Sequence, residues 1–284
     1  MRVKPLSFLF TLLCTSLLSA PALAHHEVIF GPQSAPMLSA DRFLSFQLFS
    51  RQTGTETDKT QESTPLVSFG INPIPGIPLG FTVIAPFSTI QPLNGQGAGA
   101  TGVEDIILGT RYRYDLEGLK TLWNKEGNYI QAMSAVEIPN GVIDHEAFKG
   151  PLDAMGALML SLEYEQFSGL GYAFYRHNGA DFSGSKAGDN LFLGGGLAYT
   201  PIDAETILSF QLGWSYESYF HDSLGGAADP LSGGRGLLLH PTITYSPGFG
   251  LLFFGMLSFP VWQAYENPAD QDRFRIGTGL VYNF

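Results

Sequence analysis

The sequence predicts an all-β protein: a transmembrane antiparallel β-barrel of about 12 strands in up-and-down order. Three observations carry that prediction. The chain begins like an exported protein. No later segment holds the ~18 consecutive apolar residues of a membrane helix. Period-two alternation of apolar with small or polar residues recurs from Arg42 to Phe284. Only helices and closed barrels satisfy every backbone group in lipid, so an exported chain that spans a bilayer without helices does so as a barrel.

The start reads MRVKPLSFLFTLLCTSLLSAPALA. Arg2 and Lys4 make it positive, Leu6 to Leu18 is mostly apolar, and Ala22-Leu23-Ala24 is a small-x-small cleavage site. Residues 1–24 are therefore expected to be a secretory signal, with the mature chain beginning at His25. Cys14 is the only cysteine and follows Leu13, where a lipoprotein signal has a small residue, so the mature chain is expected to hold no disulfide. Loss of Arg2 and Lys4 leaves 13 basic against 26 acidic residues, a net charge of −13, which argues against binding nucleic acid.

His25–Asp41 has no sustained period and is read as a periplasmic segment ahead of a barrel spanning 42–284. Strand one, near Arg42–Gln52, sets Leu44, Phe46 and Leu48 against Ser45 and Gln47. Thr53–Thr64 reads as an exposed loop. Leu66–Asn72 and Leu79–Phe87 flank the proline-locked PIPGIP turn. Ser88–Gly102 reads as loop. Val103–Tyr114 turns Leu108, Tyr112 and Tyr114 outward and Asp105, Ile107, Arg111 and Arg113 inward. Asp115–Asn128 has spacing that permits a short surface helix around Trp123.

Tyr129–Ile138 places Gln131, Met133 and Glu137 inward. After a polar stretch, Asp153–Glu165 and Gly169–His177 form a hairpin. Its outer face is read as Leu158, Leu160, Leu162, Tyr164, Leu170, Tyr172 and Phe174. Leu191–Thr200 sets Leu193 and Leu197 against Phe192, Gly194 and Gly196. Thr206–Glu217 and Arg235–Ser246 alternate cleanly, the latter with His240 inward. Gly250–Phe259 carries large residues on both faces, so its parity is ambiguous. Arg273–Phe284 ends the chain with Phe274, Ile276, Leu280, Tyr282 and Phe284 on one face and Arg275 on the other.

Connectors after odd strands are long and polar, and those after even strands are short, except Asp115–Asn128. Outer-membrane barrels show that asymmetry, with long outer loops and short periplasmic turns, so both termini are expected to be periplasmic. Tyr112, Tyr114, Tyr199, Trp214, Tyr216, Tyr245 and Tyr282 gather near strand ends as interfacial belts do.

The last strand resembles the terminal strand of bacterial outer-membrane barrels. That resemblance implies that Tyr282 and Phe284 serve as a signal to the barrel insertion machinery. The run Gly102-x-x-Asp105-x-x-x-Gly109-x-Arg111-Tyr112, the PIPGIP turn and the terminal Phe284 resemble the outer-membrane proteins of the MetA-pathway phenol-degradation family. The resemblance implies a channel for small hydrophobic or aromatic compounds and supplies no functional residues.

The inward face holds the residues that could act. Asp105, Arg111, Arg113, Glu137, Glu163, Glu217, His240 and Arg275 are candidates for a lumen constriction, with Arg111 or Arg113 facing Glu137 across the ladder. A structural salt-bridge network filling a narrow barrel is the plainer reading of the same charges. Ile107, Met133, Met155, Met159 and Phe192 make the lumen partly apolar, as a hydrophobic solute requires and as simple side-chain packing also would.

Two other chemistries are weighed. His25-His26, Asp144-His145-Glu146 and His221-Asp222 have metal-ligating types but no metal-site spacing, and solvated surface histidines explain them better. His177 with Ser183 or Ser185, and His221 with Ser223, lack the held third group of a hydrolase. The sequence thus points to a passive outer-membrane channel or transporter acting on a small-molecule solute in outer-membrane lipid. It points to no enzyme, no cofactor and no metal. The alternative is a structural or adhesive barrel whose outer loops bind a surface partner or a metal.

Overall fold

Inward and outward residues alternate along strands long enough to cross a bilayer, and the strands close on themselves. The computed structural model describes residues 41–56, 59–74, 76–93, 100–116, 128–139, 152–180, 184–201 and 207–284. The signal at 1–24, most of the segment 25–41, Trp123, Asp144-His145-Glu146 and Ser183 lie outside the described residues.

Twelve strands form the wall: β1 Arg42–Gly54, β2 Lys59–Ile71, β3 Leu79–Pro92, β4 in two pieces (Ala100–Val103 and Ile106–Asp115), β5 Tyr129–Ile138, β6 Asp153–Tyr164, β7 Phe167–His177, β8 Asn190–Tyr199, β9 Ile207–Tyr219, β10 Gly234–Gly248, β11 Leu251–Tyr265 and β12 Asp272–Asn283. Each pairs antiparallel with the next, and β1 pairs with β12 from Phe43↔Asn283 to Thr53↔Asp272. The sheet therefore has no free edge, which is what lipid demands of strands. Among the described residues no helix is long and apolar enough to cross a membrane.

The outward face is a band of exposed apolar side chains, among them Phe46, Val67, Leu108, Leu158, Leu197 and Leu212. Exposed aromatics rim it: Tyr114, Tyr164, Tyr199, Tyr245 and Tyr282 at the short-turn end, Tyr175 and Trp262 towards the other. Phe284 stacks on Tyr282 and on Phe69, 5.8 and 6.5 Å between centroids.

Several elements differ from the sequence reading. The stretch Thr53–Thr64 is mostly strand, with Gly54 paired to Lys59, because Arg51, Gln52 and Thr53 meet Glu62, Gln61 and Thr60 as polar pairs above the apolar band. Likewise β3 continues to Pro92 and β11 to Tyr265. The β6–β7 turn is two residues, Glu165 and Gln166, with Glu165 at φ 50. The Ser218–Gly234 stretch holds a small hairpin of Ser223–Leu224 and Ala227–Ala228.

The main correction concerns β7. Phe174 is buried, Tyr172 packs against the interior cluster, and Phe167, Tyr175 and His177 are exposed. Leu170, Tyr172 and Phe174 thus face inward, while Gly169, Gly171 and Ala173 face out. Gly194, paired to Tyr172 on β8, makes room for its ring, since a Cβ there would overlap it. In β11, Phe254 and Met256 face in and Phe253, Leu257 and Phe259 face out. A bulge opposite Leu237 and Leu238 skips Val261 and reverses the parity beyond it.

Candidate functional site

The barrel interior has a middle level that is largely apolar on eight of the twelve strands. Phe49, Leu66, Ile84, Ile107, Met155, Phe174, Phe192, Phe254 and Met256 form one buried cluster contributed by β1, β2, β3, β4, β6, β7, β8 and β11. Gly279 admits the Phe254 ring, which a Cβ would strike. Phe174 and Phe192 stack at 5.4 Å with planes 4° apart. Phe192 then meets Tyr219 at 5.6 Å, and Tyr219 meets Tyr265 at 5.9 Å. This aromatic ladder climbs from mid-barrel to the end bearing the long loops.

Between β3 and β7 the inward side chains are small. Gly109, Ala135 and Ala157 leave a cavity of about 30 Å³ bordered by Thr82, Ile84, Ile107, Arg111, Met133, Met155 and Phe174. That is room for a water or two. The Thr82 Oγ1 is buried there without a hydrogen-bond partner.

At the long-loop end a charged network runs along the inner face of the wall. Arg275 of β12 reaches over β11 and β10 to Glu217 of β9, Nη1 to Oε1 at 2.9 Å and Nη2 to Oε2 at 2.6 Å. Its Nη2 also donates to Asp272 at 2.6 Å, and Arg51 of β1 donates to the same carboxylate at 2.6 Å. Glu217 accepts from the Tyr219 hydroxyl at 2.7 Å and from Ser215 at 3.1 Å. His240 joins the set, with Nε2 2.7 Å from Ser215 Oγ and Nδ1 2.7 Å from Ser258 Oγ. Strands β9 to β12 and β1 are therefore braced by one continuous chain of contacts, with every guanidinium and carboxylate compensated.

On the opposite wall, Arg176 of β7 pairs with Glu137 of β5 at 2.8 Å and with Asp153 of β6. Glu137 does not meet Arg111 or Arg113, because the register sets it opposite Ile107, with Arg111 opposite Met133 and Arg113 opposite Gln131. Arg111 instead donates to Asp41 O and Asn72 Oδ1, both at 3.1 Å, and lies over the Phe43 ring at the short-turn end. Arg113 pairs with Asp115 and covers the Tyr129 ring at 4.3 Å. Glu163 is half-buried, its N–H held by Asn128 Oδ1.

Asp105 falls in the break between the two pieces of β4. The extra residue there reverses the parity, so Glu104 takes the buried position, its N–H bonded to Pro86 O. Ile107, Met155, Met159 and Phe192 are buried and Met133 partly so.

The sequence missed Arg51, Asp272 and Arg176. Arg51 and Asp272 sit in stretches bounded as strand end and loop, and Arg176 follows from the true parity of β7. Its alternation with Phe174 and Tyr172 was the available signal.

Among the described residues the alternative chemistries gain no geometry. His177 Nδ1 lies 3.1 Å from Asp189, not from a serine. Ser185 Oγ accepts from the Gly225 N–H and Asp222 Oδ1 from the Gly188 N–H. Among the described residues no three metal-ligating side chains gather. The Ser215–His240–Ser258 set is buried throughout and acts as a brace.

No protein-family model matches the chain, and neither does any curated protein sequence. Solved structures do. The COG4313 outer membrane channel from Pseudomonas putida F1 superposes with TM-score 0.67 at 12% identity, over 87% of this chain and 97% of that one. The β domain of the Bordetella autotransporter BrkA gives 0.56 at 11%, over 87% and 100%. The translocator domain of autotransporter NalP from Neisseria meningitidis gives 0.50 at 12%, over 91% and 100%. The likeness is one of fold, a transmembrane β-barrel, and it spans channel and autotransporter alike.

Proposed function

We propose that this chain is an outer-membrane channel for small hydrophobic or aromatic solutes, as the phenol-degradation resemblance implies. Its termini would lie in the periplasm, and Tyr282 and Phe284 would address it to the barrel insertion machinery. The observation that carries the reading is the apolar middle level, bordered by the cavity at Gly109, Ala135 and Ala157. A channel for ions or sugars would line this level with polar groups, since stripping their hydration against hydrocarbon is costly. Apolar solutes gain there instead. Met133 and Met155 border the cavity and can rotate to admit a ring, being unbranched and flexible.

Such solutes cross phospholipid unaided, so the test uses whole cells with an intact lipopolysaccharide leaflet. Uptake of 1-naphthol should fall when the chain is deleted and return with the wild-type gene. Equal uptake with and without the chain would overturn the channel reading and leave the adhesive barrel standing.

A further inference from the structure

We infer that the Arg51–Asp272–Arg275–Glu217 network is a charge filter that sets the channel for uncharged solutes. This rests on the channel reading above. The four groups lie within one connected set of contacts, two guanidinium groups against two carboxylates. Their side chains are only 0 to 7% exposed. The Arg275–Glu217 contact spans the inner face of β10 and β11, so a solute passing that side of the lumen moves along it.

Position along the strands sharpens the argument. Two residues from Arg51 is Phe49, two from Arg275 is Gly277 against the Phe49 ring, and two from Ser258 is Met256. The compensated pairs thus give directly onto the apolar level. An ion arriving there finds no unspent counter-charge to replace its water, and then meets hydrocarbon. A neutral solute faces neither barrier. On the far wall Arg176 stands against Glu137 and Asp153.

Compensation makes a signed prediction that a merely bracing role does not. Arg275→Ala leaves Glu217 and Asp272 with one guanidinium between them, and Glu217→Gln leaves the guanidinium pair with one carboxylate. The refolded mature chain is placed in planar bilayers under a potassium chloride gradient. Wild type should conduct little. Arg275→Ala should raise the cation-to-anion permeability ratio and Glu217→Gln should lower it. Each change should be roughly fivefold or more, the scale of one unit charge a few ångströms away through water.

Glu217→Gln keeps the shape of the strut and its Ser215 and Tyr219 neighbours. It therefore reads charge even if Arg275→Ala fails to fold. A Glu217→Gln ratio equal to wild type, or shifted towards cations, overturns the filter. The 1-naphthol uptake of the same cells separates the two claims. Uptake without the signed shift defeats only the filter, and absence of uptake in wild type defeats the channel itself.

Discussion

Arg275 and Glu217 meet through two parallel hydrogen bonds although two strands separate them in the wall. A buried pair of this kind is held by its partner, and removing one member strands the other. Arg275→Ala should therefore lower stability by about 3–5 kcal/mol, whereas Arg275→Met with Glu217→Leu should restore most of it. The measurement is the guanidinium midpoint at which the folded, heat-modifiable gel band disappears. A double variant as weak as the single would mean that the network is held by something other than charge pairing.

The cavity at β3 to β7 offers a separate handle. Ala157 borders it beside Met133 and Phe174. Ala157→Phe should fill the space at a stability cost of about 1–3 kcal/mol, and 1-naphthol uptake should drop several-fold while the folded band persists. Tyr216→Phe, outside the cavity, is the matched control. Uptake unchanged in Ala157→Phe would place the solute path elsewhere in the lumen.

The barrel itself was legible because lipid on one side and small or polar groups on the other impose a period of two. β5 and β12 alternate as read. Sequence alternation fails where the lumen is also apolar. In β7, Leu170, Tyr172 and Phe174 satisfy either side equally, and only the pairing of Tyr172 to Gly194 and of Gly171 to Leu160 decides. It fails again at bulges, where one inserted residue exchanges Asp105 for Glu104. The site was half legible for the same reason. Glu217, His240 and Arg275 lie on cleanly alternating strands, while Arg51 sits at the end of the strand as read and Asp272 where polar composition mimics a loop.

That correction to β7 has a direct test on the outer surface. A Cβ at Gly171 meets nothing within 4 Å, as expected for a position that faces lipid. Gly171→Leu should be neutral or mildly stabilising, since it adds a lipid-facing side chain to a strand glycine. Leu212→Arg on the same surface of β9 should cost about 2–4 kcal/mol. Both are read from denaturant titrations of the barrel in lipid. A collapse of Gly171→Leu, as crowding in the lumen would cause, would restore the opposite parity.

Asp189 ties down the long-loop end between β7 and β8. Its carboxylate accepts from the Tyr175 hydroxyl at 2.8 Å, the Asn178 N–H at 3.0 Å and the Lys186 ammonium at 3.1 Å, with the His177 ring 3.1 Å away. Partial burial works against its charge, and these four groups outweigh it, holding the carboxyl down at about 2 from an ordinary 3.8. A carboxyl depressed on folding stabilises at every pH above its unfolded value and loses that contribution as pH falls through the folded one. The loop should therefore stay fastened at pH 4 and loosen towards pH 2. Pepsin, active across that window, should spare the β7–β8 connection at pH 4 and cut it at pH 2. Asp189→Asn, which cannot ionise, should be cut at both. Cleavage that is independent of pH in the wild type would show that the loop is fastened by its backbone contacts to the β9–β10 connection, such as Lys186 to Ser223, and not by this carboxylate.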